Sequence, residues 1–144
     1  MFPDLMTELL RQGSSVRFRA LGASMQPTIE DGELITVAPM ASARIKRGDI
    51  LLYQNERGVF AHRVVGRVGD CPHFLLRGDA AVSCDPPVLR DQIIGRVVAV
   101  QRGGRSLALD RRLMNLLRLT RLWLSKSSAF RLLHFFYQER IKNS

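Results

Sequence analysis

Two cysteines, Cys71 and Cys84, in a chain of 144 residues are too few for a disulfide framework, and they form no CxxC pair of the kind that grips a metal. Two buried or free thiols are the expectation, which fits a reducing compartment. No stretch reaches the roughly 18–20 uninterrupted apolar residues that a spanning helix needs. The first thirteen residues carry Asp4 and Glu8 without a basic run ahead of an apolar one, so no secretory leader is expected. A cytoplasmic protein follows, peripheral to a membrane at most. No internal repeat or low-complexity segment is visible, and nothing in the composition calls for a metal or cofactor.

What is present is charge of one sign, unevenly placed. The formal net charge is +9, but residues 1–101 hold 12 Lys and Arg against 11 Asp and Glu. Residues 102–144 hold 10 basic residues against Asp110 and Glu139, a net +8. The footprint of a nucleic-acid binder would spread over the folded domain, and here it does not. The division predicts one near-neutral domain over residues 1–104 and a basic tail over 105–144.

Leu5, Met6, Leu9 and Leu10 recur at helical spacing and stop at Gly13, which predicts a short amphipathic helix over 4–12. Beyond it the period drops to two. Val16, Phe18 and Ala20 alternate with Arg17 and Arg19, and ELITVAP, ILLY, VFAHRVVGRV, HFLLRGD and QIIGRVVAVQ read as five further strands. Gly103-Gly104 is expected to close the sheet region. Six short strands without interleaved helices predict an α+β, mostly β domain with an antiparallel core. From Leu107 the period lengthens again: Leu109, Leu113, Leu116, Leu117, Thr120 and Leu124 share one arc, beside Trp123 and away from Arg111, Arg118 and Arg121. The tail is therefore expected to be amphipathic, basic and helical. Its apolar stripe would pack on the β domain or a second copy, lie on an anionic membrane surface, or hold a partner.

Three local sequences carry chemistry. Gly22-Ala23-Ser24-Met25-Gln26-Pro27-Thr28-Ile29 sets a serine in a tight turn between strands, where a nucleophile is exposed on a rigid frame. Gly48-Asp49-Ile50-Leu51-Leu52-Tyr53 is followed by Ala61-His62-Arg63-Val64-Val65, and an imidazole is the usual base for a serine hydroxyl at neutral pH. His73 and His134 lack a comparable setting and are read as structural. Arg77-Gly78-Asp79-Ala80-Ala81, with Asp85 beyond, offers carboxylates to orient that imidazole. Each alone has an ordinary reading: a capping serine, a satisfied strand histidine, an Asp in a β-turn.

Together, in this order and spacing, the segments resemble the signal peptidase family of serine peptidases, with its Ser-Met-x-Pro-Thr box and two Gly-Asp boxes. The self-cleavage domains of SOS repressors are similar in the first two. A histidine in an Ala-His-Arg-Val-Val context resembles the archaeal, endoplasmic-reticulum and sporulation-type subgroup, whose base is histidine instead of lysine. The resemblance covers roughly residues 16–101. It implies a coiled antiparallel β core, Ser24 as nucleophile, His62 as general base and then acid, and Asp85 as third member, with Asp79 supporting the site. It further implies an oxyanion held near the Ser24 amide and the Gly22–Ala23 turn, with Met25 and Pro27 beside the substrate. The chain departs from the family pattern in Gly22-Ala23, where Ser-Gly is usual, and in Ala80-Ala81 after the second Gly-Asp.

The expected activity is endopeptidase cleavage of a peptide or preprotein, with no cofactor. The alternatives are a cytosolic self-cleaving regulator and a catalytically inactive peptide-binding module of the same fold.

Overall fold

A computed structural model describes residues 2–40, 44–70 and 73–109. Helix α1 spans Phe2–Arg11, with Asp4 in its first turn and Arg11 in its last, each opposing the helix dipole at its own end. Met6 and Leu10 face inward while Leu5 stays exposed, so α1 buries one stripe only. Eight strands follow: β1 Val16–Arg19, β2 Leu34–Pro39, β3 Ile50–Asn55, β4 Gly58–Val68, β5 His73–Arg77, β6 Val88–Leu89, β7 Ile93–Arg102 and β8 Arg105–Ala108. All pair antiparallel in one sheet ordered β1-β2-β7-β3-β4-β5-β6, with β8 on β7.

The sheet carries two apolar clusters. One joins Met6 and Leu10 of α1 with Ile35, Val37, Ile50, Leu52, Val97 and Val100. The other gathers Leu51, Tyr53, Val64, Phe74, Leu76 and Val88. β3 feeds both: Ile50 to Tyr53 are buried in succession, so alternate side chains enter opposite clusters. Each fully buried Leu of this run contributes about 1.5–3 kcal/mol of transfer free energy.

The mostly antiparallel β architecture with one short helix agrees with the α+β expectation. Two strands were not foreseen. β6 is two residues long, too short to show a period. Gly103-Gly104 turns a hairpin instead of closing the sheet, and β8 pairs from Arg102↔Arg105 to Ala99↔Ala108. All four β8 residues are exposed, so no alternation marked them. The sheet thus runs past the division read at 104/105, and the compact unit extends through Leu109, whose amide donates to the Val98 carbonyl at 2.9 Å. The helical stripe from Leu113 to Leu124 with Trp123, and also Cys71 and His134, lie outside the described residues. Cys84 is an exposed free thiol. Among the described residues no helix is long and apolar enough to cross a membrane.

Candidate active site

Ser24 lies in the connection between β1 and β2, a turn held from several sides. Gly22 takes φ +93°, a conformation that a Cβ would strain, and its amide donates to Asp31 Oδ1 at 2.7 Å. Met25 and Ile29 are buried in the α1 cluster, 5% and 2% exposed, and the Ile29 amide donates to the Met25 carbonyl at 3.0 Å. The Gln26–Pro27 bond is cis. The guanidinium of Arg102 on β7 donates to the Pro27 carbonyl at 3.2 Å and is itself held by Glu33. Two apolar anchors and an arginine therefore seat a turn that leaves Ser24 and Ala23 exposed.

The segment after β5 closes against this turn. Ala80 N–H donates to the Ser24 carbonyl at 2.9 Å. A Cβ placed on Gly78 would stand 2.5 Å from that same oxygen, so only glycine lets the two backbones meet there. The segment then folds back on itself. Ala81 N–H donates to Gly78 O at 2.9 Å, and Asp85 N–H donates to Leu76 O at 2.8 Å. β5 and β6 pin both ends of this loop.

His62 stands on β4 opposite Leu51 of β3 and is 7% exposed. Its Nδ1 lies 2.5 Å from Asp85 Oδ2, and its Nε2 lies 3.0 Å from Ser24 Oγ. An ionised carboxylate only accepts, so Nδ1 carries the proton when the ring is neutral. Nε2 is then the acceptor turned towards the serine hydroxyl. Residues separated by 38 and 23 positions thus form one continuous chain of hydrogen bonds.

Asp79 does something else. It grips Arg63, the next residue along β4, in a two-point contact: Nε to Oδ1 at 2.7 Å and Nη2 to Oδ2 at 2.6 Å. Thr28 Oγ1 donates to Asp79 Oδ2 at 2.5 Å, and Arg63 Nη1 donates to the Gly48 carbonyl at 2.9 Å. Arg63 and Asp79 are nearly buried, at 7% and 11% side-chain exposure. This clamp ties the serine turn, through Thr28, to β4 and to the start of β3. Asp49 immediately precedes β3: its carboxylate accepts from the Lys46 amide at 2.8 Å and stands 3.4 Å from Arg96 Nη2.

The rings of Tyr53 and Phe60 wall the imidazole, each with its centroid 6.2 Å from that of His62. The Tyr53 phenol is held well above its ordinary pKa by burial first and by the Asp85 charge second.

Of the residues singled out from sequence, Ser24, His62 and Asp85 come together, and Asp79 joins through the clamp. Gly22 has its amide engaged by Asp31. Met25 packs in the core. Tyr53, Arg63, Thr28 and Asp31 were given no part beforehand; all four stood inside or beside the quoted boxes, but residue type alone does not reveal a partner. Among the described residues no group of three or more His, Cys, Asp or Glu stands close enough to hold a metal ion. No protein-family model matches the chain, and the comparison with curated proteins gives no match.

Proposed function

We propose that this protein is a serine endopeptidase of the signal-peptidase type that cleaves a peptide or preprotein through Ser24, His62 and Asp85. The observation that carries the reading is the Asp85–His62–Ser24 chain, with contacts of 2.5 and 3.0 Å. As Ser24 Oγ bonds to the scissile carbonyl carbon, its proton passes to His62 Nε2. The imidazolium is stabilised by Asp85, and the carbonyl oxygen takes the negative charge beside the Ser24 and Ala23 amides. His62 returns the proton to the leaving amine as the C–N bond breaks, leaving an acyl-Ser24. A water then repeats the sequence and frees the acid.

The antiparallel sheet with one short helix and the box order support a fold of the signal-peptidase and repressor type. By resemblance the substrate presents small side chains next to the cleaved bond. A cytoplasmic place, at an anionic membrane surface through the basic stretch 105–144, belongs to the same proposal on sequence grounds.

The test is acylation by a small serine-reactive probe, read by intact mass on wild type, Ser24→Ala and His62→Ala. A single adduct on Ser24, lost in both variants, is the expected result. No adduct on folded wild-type protein would overturn the peptidase reading and favour the peptide-binding module. Cleavage of the chain by itself during incubation would instead identify the self-cleaving regulator.

A further inference from the structure

We propose that Arg102 is a positioning residue for Ser24, gripping the second half of the serine turn from the end of β7 so that the first half, which carries the nucleophile, stays in place. The consequence for rate rests on the peptidase reading, but the grip itself is a property of the folded chain. β2 and β7 pair Leu34 with Gln101, so the next residues outward, Glu33 and Arg102, come side by side. The guanidinium meets the carboxylate at two points, Nε to Oε1 at 2.5 Å and Nη2 to Oε2 at 2.9 Å. Nη2 also donates to two successive turn carbonyls, Pro27 O at 3.2 Å and Thr28 O at 3.4 Å.

The need for such a grip follows from how the turn is built. Its base is closed by backbone bonds: Ala20 N–H donates to Glu33 O at 2.8 Å, and Gly32 N–H donates to Ala20 O at 2.7 Å. Above that base, Leu21 to Ser24 are exposed. This first half leans on the second, since Gly22 N–H donates to Asp31 Oδ1 at 2.7 Å and Ile29 N–H donates to Met25 O at 3.0 Å. The position of Ser24 therefore depends on how firmly residues 27–31 are held. The Thr28 side chain is tied to Asp79, and the backbone of Pro27 and Thr28 to Arg102. Glu33, already fixed by Arg102, also accepts from the Glu30 amide at 2.8 Å.

The chemical type of the donor matters as well. A planar guanidinium directs its N–H groups along fixed lines, so one side chain engages both oxygens of a carboxylate and a backbone carbonyl at once. An ammonium on a flexible stem has no such fixed directions. The Arg102 and Glu33 side chains are 40% and 12% exposed, and a pair this open contributes little to global stability. Its effect is local geometry, to which catalysis is far more sensitive: a reacting group misplaced by about 1 Å loses on the order of 10²-fold in rate.

Arg102→Gln removes the fork and its charge. The maximal rate of Ser24 acylation by the probe is expected to fall about tenfold, while the probe concentration giving half that rate changes less than about twofold. Arg102→Lys keeps the charge alone and is expected to recover little of the loss. An unchanged maximal rate in Arg102→Gln, or full recovery in Arg102→Lys, would overturn the assignment. Amide hydrogen exchange followed by NMR needs no catalysis. The Ile29 amide is expected to exchange about tenfold faster in Arg102→Gln, with the amides of β3 and β4 at their wild-type rates. Equal acceleration throughout the sheet would reduce Arg102 to a structural residue, and an unmoved Ile29 would show that it does not hold the turn; either result overturns the proposal. An inactive wild type would sink the peptidase reading and leave the exchange measurement to decide on the grip. If Arg102→Gln does not fold, Glu33→Gln, which frees the guanidinium from its carboxylate, is expected to give the same local pattern, and an unmoved Ile29 there overturns it equally.

Discussion

Two carboxylates on one short loop, Asp79 and Asp85, engage neighbouring residues of the same strand and are suited to different work. Asp79 meets Arg63 at two points and Thr28 at a third, nearly out of solvent. Asp85 meets His62 at a single point, with 21% of its side chain exposed. Arginine does not give up its proton at any ordinary pH, so the Asp79 pair can only hold. Histidine does exchange its proton, and its second nitrogen faces a hydroxyl 3.0 Å away. The contrast separates a buttress from a relay: fixed charge and two-point geometry secure a loop, whereas a titratable partner with a free end is able to move protons.

The largest expected effect falls on the relay. Asp85→Asn should lower the rate of Ser24 acylation by about 10³–10⁴-fold, because the amide favours the wrong imidazole tautomer and cannot balance the imidazolium. Stability should change by no more than about 1.5 kcal/mol in urea unfolding, the order of one hydrogen bond. Wild-type acylation by this variant would remove Asp85 from the relay.

The clamp should show the reverse pattern. Asp79→Ala leaves a guanidinium buried without its counter-charge and is expected to cost about 3–5 kcal/mol of stability. Replacing both partners with apolar residues, Asp79→Leu with Arg63→Met, should recover most of that loss in the same unfolding measurement. If the double variant is as unstable as the single one, the orphaned charge is not the cause. Some activity should fall with Asp79→Ala too, because Thr28 and the Gly78–Ser24 approach lie on the same support.

A third carboxylate calibrates the other two. Glu33 accepts from Arg102 Nε at 2.5 Å and from Nη2 at 2.9 Å, on the outer side of the serine turn where Arg102 is 40% exposed. The hydrogen bond from Arg102 holds the Glu33 carboxyl below its ordinary pKa. A carboxyl lowered in the folded state adds stability that is complete above its unfolded value, about 4.3, and disappears as pH falls through the lowered one. Glu33→Gln should therefore lower thermal stability modestly near neutrality and flatten its loss between about pH 5 and pH 2, the two proteins converging at the acid end. A steeper acid loss in the variant would reverse the sign of this contribution. An exposed pair of this kind is the smallest of the three effects.

Much of the fold was legible because one-dimensional periods report burial directly. The alternation over 59–68 and the apolar run at 50–53 mark β4 and β3 within a few residues. β8 was not legible: Arg105–Ala108 is exposed throughout and pairs through its backbone, so its side chains carry no imprint of the ladder. Leu109, read as the start of the helical stripe by spacing alone, instead follows β8 and packs against the α1 cluster. At the site, Ser24 and His62 were singled out by the resemblance of the segments that hold them, since residue type and setting alone left each an ordinary reading; the structure puts them 3.0 Å apart. Tyr53 was not, because an apolar run announces that a tyrosine is buried and not which ring it lies against.

By itself, then, the sequence determined which stretches pair as strands and which side chains have the chemistry to act on one another. Tertiary structure decided the partners. Hydrogen bonds reach about 3 Å, and whether two groups come that close depends on strand register and loop closure. The β4–β5 register sets Arg63 opposite Arg77, so the residues that follow Arg77 bring Asp79 to Arg63. The Asp85-to-Leu76 bond closes the loop and turns the second carboxylate to His62. Those pairings depend on contacts between segments far apart in the chain, which no local pattern of residues encodes.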